Sequence, residues 1–287
     1  MARQVRLRRR GELGQSLTPG PVDASGPLER LLRRDRALML CALALLVALS
    51  VLYLLRGADD MQAMDAAMQR QAAAGVIMDM RWGFAEWAGL LLMWTIMMVA
   101  MMLPSAAPVI LLVLGVYRRR GGDDARLAAG LFVAGYLLAW TGFSVLAATI
   151  QIGLHRTALM TMDMRLGRAT LAGTVLVAAG LYQWLPVKTL CLRHCQSPLG
   201  FISSHWREGP LGALLTGAHH GLFCVGCCGF LMGVLLVVGV MQLGWVAAIA
   251  AVVLMEKVLA QGLWLGRLSG SALVLWGLYL WLKPLSG

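Results

Sequence analysis

Apolar residues in this chain gather into long unbroken runs, without the alternation or one-faced periodicity of a soluble fold. A helix of about 20 apolar residues crosses a bilayer core. By that measure the sequence predicts seven spans, at residues 37–55, 86–103, 127–152, 169–186, 211–240, 244–262 and 269–282. The second run can continue to residue 116, past Pro104 and Pro108, prolines expected to break or kink the helix. Such a break is tolerated in lipid where the freed carbonyls meet protein or a cavity. The sixth and seventh runs are divided by a short turn whose one charge is Arg267, so the pattern supports six or seven spans. The expected fold class is all-α, a polytopic transmembrane helix bundle. Between the first two spans, the Met-, Ala- and Gln-rich stretch 61–75 predicts a helix on the outer surface.

Composition sharpens this picture. Of 287 residues, 59% are hydrophobic and 14% charged, with a mean hydropathy of +0.73, against roughly 45–50% and about 25% in an ordinary soluble domain. The 33 glycines and only 7% aromatics suit helices whose backbones approach closely in lipid. The formal charge of +11 is concentrated ahead of the first run, where residues 1–36 carry nine arginines and four acids. A basic arm in that place reads as a cytoplasmic anchor against anionic lipid. It lacks the aromatic interleaving of a nucleic-acid binder, so no nucleic-acid partner is expected. The chain therefore divides into this arm and a transmembrane domain over 37–284. With the N-terminus inside, inner segments collect 17 Lys and Arg and outer segments seven, which satisfies the positive-inside rule. No cleavable signal peptide is expected, because the first run ends at Arg56 without an A-x-A site.

Chemistry enters with sulfur. Of six cysteines, Cys41 lies in the first run, where it is expected as a small buried hydrophobe, and the other five fall between Cys191 and Cys228. The fifth run holds His219-His220-Gly221-Leu222-Phe223-Cys224-Val225-Gly226-Cys227-Cys228. On a helix, His220, Cys224 and Cys227 fall within an arc of about 60°, with Cys228 beside them and His219 turned away by about 100°. Inert packing of these thiols is the plain alternative, but polar side chains at membrane depth are functional by default. Soft ligands of this kind favour Cu(I) or Zn over Mg or Ca. The second run stacks Met93, Met97 and Met101 on one face with Met98 and Met102 on the adjacent strip, either flexible filler or a ladder of thioethers suited to Cu(I). A further cluster, Cys191-Leu-Arg-His194-Cys195, falls in an inner loop and can be a metal docking point or simply reduced thiols.

The two kinds of sulfur also sort by side. Met61, Met64, Met68, Met78, Met80, Met160, Met162 and Met164 fall in outer segments, the last three as an M-x-M-x-M string, whereas the inner loops offer Cys191, Cys195, His194 and His205. Thioethers cannot form disulfides, so methionine survives outside, and thiols persist in a reducing cytoplasm. The order describes a graded Cu(I) path. Glu256-Lys257 interrupts the sixth run. Adjacent residues diverge on a helix, so Glu256 is expected either to orient His220, to accept protons or bind metal, or to pair with an arginine from a loop.

Several stretches together carry a resemblance: Met97-Met98-Val-Ala-Met101-Met102-Leu-Pro104 through Pro108, Gly135-Tyr136 with Trp140, Ala179-Gly180-Leu-Tyr182-Gln183-Trp-Leu-Pro186-Val-Lys188, Cys191 through Pro198, His220 through Cys228, and Glu256-Lys257. Over about residues 85–262 the chain resembles a bacterial family of integral membrane proteins predicted to bind metal, some of them described as copper chaperones. The resemblance implies metal binding and a multi-pass place in the bacterial inner membrane. Gly229 stands where such proteins often have Trp.

From residues and resemblance together, the expected site is a Cu(I) centre, with Zn as the other candidate metal. His220, Cys224 and Cys227 are its primary ligands, with Cys228 as alternate. Met97, Met98, Met101 or Met102 complete it across helices, and Cys191 and Cys195 lie on the inner side. Expected partners are membrane lipid and a copper donor or a membrane cuproenzyme, with copper delivered or passed across the membrane. Two alternatives stand beside it: a thiol–disulfide oxidoreductase using Cys224 with Cys227 or Cys228, and a structural membrane subunit.

Overall fold

The computed structural model describes residues 27–73, 83–120, 124–160, 165–259 and 261–283, with side chains described outside 27–32 and 60–73. Among these residues the chain is helical throughout and has no strand. The helices are α1 (Pro27–Ala73), α2 (Phe84–Arg119), α3 (Ala125–Arg156), α4 (Ala169–Tyr182), α5 (Pro186–Gln196), α6 (Pro198–His205), α7 (Gly209–Gly233), α8 (Leu235–Val238), α9 (Leu243–Val258) and α10 (Gly262–Leu282). Among the described residues, five stretches are long and apolar enough to cross a membrane: Arg33–Asp59, Phe84–Arg119, Ala125–Arg156, Gly209–Val238 and Gly262–Leu282. The α4–α5 pair, bent by 63° at residues 183–185, makes a sixth if taken as one span. This is an all-helical membrane bundle.

Three boundaries differ from the hydropathy pattern. The break between the last two runs falls at residues 259–261, so Arg267 sits inside α10 with its guanidinium 5.9 Å from the Trp184 ring centroid. The preceding helix is thereby cut to 16 residues, about 24 Å of rise. The stretch 61–73 continues α1 and forms no separate surface helix. Pro104 and Pro108 do not end α2, which runs unbroken through both. Ser105 Oγ and Tyr136 OH each donate to the Met102 carbonyl, at 2.8 and 3.2 Å.

Glycine sets how closely the helices cross. A Cβ added at Gly217 on α7 would stand 2.0 Å from the Phe132 carbonyl oxygen of α3, and one at Gly180 on α4 would stand 2.6 Å from the Gly270 carbonyl oxygen of α10. Only hydrogen fits at those two crossings, the small-residue packing that membrane helices use in place of a hydrophobic driving force. At the basic end of the bundle, buried Asp35 of α1 pairs with Arg118 of α2 and, at 3.0 Å, with Arg126 of α3. These contacts hold α7 against α3, and α2 beside both, around the sulfur-bearing residues.

Candidate metal centre

The Cys-x-x-Cys-Cys sequence on α7 brings three thiols together because positions i, i+3 and i+4 share a helix face. The sulfurs of Cys224, Cys227 and Cys228 lie within 4.8 Å of one another, and all three residues are buried. Cys227 Sγ and Cys228 Sγ donate to the Cys224 carbonyl at 3.1 and 2.9 Å. Two more sulfurs come from other helices. Met102 Sδ of α2 is 3.8 Å from Cys228 Sγ, and Cys195 Sγ of α5 is 3.8 Å from Cys227 Sγ. Five sulfurs on three helices thus form one connected group, with the three α7 thiols at its centre, Met102 against Cys228 and Cys195 against Cys227.

The other predicted residues take outer places. Met97, Met98 and Met101 are buried on α2 among the core residues. Cys191 lies over Gly226, where an added Cβ would meet its sulfur at 2.8 Å. His220 is buried, its ring centroid 5.9 Å from those of Phe132 and Tyr136 and 4.9 Å from that of Phe201. Its Nδ1 finds no hydrogen-bond partner among the described residues, and its ring nitrogens stand outside the three-thiol group. Met160 pairs in an isolated bridge with Leu166. Met162, Met164, Met78 and Met80 lie outside the described residues, as do the side chains of Met61, Met64 and Met68.

Electrostatics at the site come from residues that the spacing rules left unassigned. Lys257 Nζ lies 3.0 Å from Cys224 Sγ and donates to Ser105 Oγ at 2.9 Å. Tyr136 OH lies 3.1 Å from the same sulfur. Thiolates gathered at a buried site carry an excess of negative charge, and a buried ammonium is the counter-charge they need, since an uncompensated charge at that depth is costly. A lysine placed mid-run was the one sequence signal for this role. Its neighbour Glu256 turns away, as adjacent helix positions must, and neither His220 nor an arginine is its partner. Glu256 Oε2 accepts from Lys188 Nζ of α5 at 2.7 Å, and Lys188 also donates to Gln183 Oε1. Gln196 Nε2 of α5 donates to the Glu256 carbonyl at 2.7 Å. The segment expected to be an inner loop is therefore pinned inside the bundle, and this brings Cys195 to Cys227.

The copper chaperone family PpoB2 matches residues 91–280, more than half of the chain. The chain belongs to that family. The PpoB2 match contains the methionine strip of α2, the bent α4–α5 pair, the thiol group of α7 and the Glu256-Lys257 pair. No curated protein and no solved structure matches the chain. In this PpoB2 member, Gly229 leaves room beside the thiols. A cavity of about 510 Å³, almost wholly apolar, lies against Gly226 and Gly229 between Trp94, Phe143 and Tyr182.

Proposed function

We propose that this PpoB2 family member carries Cu(I) in the buried thiol group of α7, for delivery to a membrane cuproenzyme or passage across the bacterial inner membrane. Cys224, Cys227 and Cys228 are the primary ligands, with Met102 and Cys195 as exchange ligands on either side. The observation that carries this reading is the sulfur constellation itself: three thiols within 4.8 Å, joined by a thioether and a fourth thiol at 3.8 Å. Sulfur donors without hard oxygen ligands select Cu(I) or Zn, and the thioether tilts the set towards Cu(I). Met97, Met98 and Met101 extend the soft surface along α2. His220, unpartnered at Nδ1 and set among aromatic rings, stands one turn before Cys224. Metal binding requires the thiols to be deprotonated and so releases protons, and Lys257 supplies the balancing charge.

A second reading, thiol–disulfide exchange, is favoured by a different feature. Cys195 and Cys227 sit on separate helices with sulfurs 3.8 Å apart, so closing them to a disulfide of about 2.05 Å does not require distorting one helix. Alkylation trapping in cells separates the two. In the copper reading, Cys195, Cys224, Cys227 and Cys228 are all reduced, and copper shields them from a thiol reagent. A Cys195–Cys227 disulfide whose abundance follows respiration and ignores copper would replace that reading with the redox one.

A further inference from the structure

Three of the five histidines converge at one place in the fold. His194 of α5, His205 at the end of α6 and His219 of α7 come from three helices, and Phe201, stacked on His205 with centroids 5.0 Å apart, separates them from buried His220. The ring centroids of His194 and His205 are 6.0 Å apart, and those of His205 and His219 are 5.7 Å apart. Two imidazoles that share an ion at nitrogen–metal lengths of about 2.0–2.1 Å hold their centroids roughly 5 Å apart. The ring planes stand at 74° and 88° to each other, and the three rings do not yet gather their nitrogens within 4.8 Å as the α7 thiols do, so ligation requires the His205 and His219 side chains to turn towards His194.

The hydrogen bonding of two of these rings already suits a ligand. His194 Nδ1 lies 2.8 Å from the Leu190 carbonyl oxygen, and His205 Nδ1 lies 3.3 Å from that of Phe201 and 2.8 Å from Ser204 Oγ. A carbonyl only accepts, so Nδ1 carries the proton and Nε2 keeps its lone pair. Metal-binding histidines are oriented in this way, with the far nitrogen donating to a carbonyl. The His194 ring is also fixed face to face on Phe223, with centroids 4.3 Å apart and planes at 2°. His219 is exposed and His194 and His205 are half-buried, in contrast to the buried thiols.

We infer that His194, His205 and His219 form a second metal site, built of imidazole donors, that takes a borderline transition-metal ion and passes copper between the thiol group and the surface. The site itself stands on these three rings, whereas its transfer role rests on the copper reading above. The two sites are contiguous: His194 precedes Cys195, whose sulfur touches Cys227, and Phe223 precedes Cys224. Transfer is ligand exchange. A copper–sulfur bond breaks as a copper–nitrogen bond forms, the released thiolate takes a proton from water, and copper stays monovalent.

The test uses the full-length chain in detergent, loaded with Cu(I) under reducing conditions or with Zn²⁺, and reads metal per chain together with the ligand atoms by X-ray absorption. The wild type is expected to bind one sulfur-ligated equivalent and one nitrogen-ligated equivalent. His205→Ala with His219→Ala should lose the nitrogen-ligated one and keep the other. His219→Gln alone, at an exposed position, should weaken the nitrogen site at least tenfold without unfolding the chain. A wild type with only sulfur-ligated metal, or a nitrogen-ligated equivalent indifferent to the histidine variants, overturns this inference. Nitrogen-ligated metal present with no sulfur-ligated copper at all would sustain the second site and defeat the function proposed for the first.

Discussion

At Lys257 a full positive charge is held against a sulfur in the middle of an apolar bundle, 3.0 Å from Cys224 Sγ. In the proposed copper centre its role follows from charge. A Cu(I)–thiolate centre is anionic, and in a low-dielectric interior that charge is tolerable only when balanced. Lys257→Met keeps the length and apolar stem of the side chain and removes the charge. It is expected to weaken Cu(I) binding by about 10- to 100-fold, the usual cost of losing a partner that supports the metal ligands. Competition with a Cu(I) chelator measures this, and unchanged affinity would remove Lys257 from the site. Cys227→Ser should abolish sulfur-ligated copper, whereas Cys41→Ser, on the exposed face of α1, should leave the copper content as it is. The thiol face of α7 was legible in the sequence because helical spacing alone sets it. The partners of that face were not, because Lys257, Tyr136 and Ser105 reach it from three different helices.

The element that decides the geometry is the bent α4–α5 pair. Hydropathy predicts one span ending near residue 186 and an inner loop after it. In the fold two polar groups of that segment are satisfied within the bundle, Lys188 by Glu256 and Gln196 by the Glu256 carbonyl, while Arg193 stays exposed. Single-chain periodicity cannot distinguish a solvated lysine from one that meets a carboxylate 68 residues later. Breaking a buried pair by removing one partner costs about 3–5 kcal/mol. Glu256→Gln should therefore lower stability by that order in a denaturation experiment. Lys188→Met combined with Glu256→Leu should recover much of the loss, and equal stability of all three chains would show the pair to be structurally idle. The α3–α7 crossing gives a second check. Gly217→Ala puts a methyl group 2.0 Å from the Phe132 carbonyl oxygen, so it should push the helices apart and lower the melting temperature, whereas Gly233→Ala, with open space at its Cβ, should not.

Across the whole molecule, the all-helical membrane character was readable, because lipid forces every backbone group to be satisfied within its own helix. The number of spans was not: among the described residues five helices, or six with the bent α4–α5 pair, are long and apolar enough to cross, and α9 falls short because it ends at Val258 although its apolar run continues beyond, with no proline to stop it. In the proposed reading the bundle is a scaffold that holds a soft-metal centre at depth, flanked by thioethers on α2 and imidazoles on α5, α6 and α7, with copper bound by the α7 thiols. The most direct measurement is the copper content and oxidation state of the full-length chain purified in detergent, compared with the Cys224→Ser/Cys227→Ser/Cys228→Ser chain. Sulfur-ligated Cu(I) is expected at one equivalent in the wild type and not at all in the triple variant, with both chains folded. Sulfur-ligated copper that persists in the triple variant, or that is absent from the wild type after loading, would contradict it.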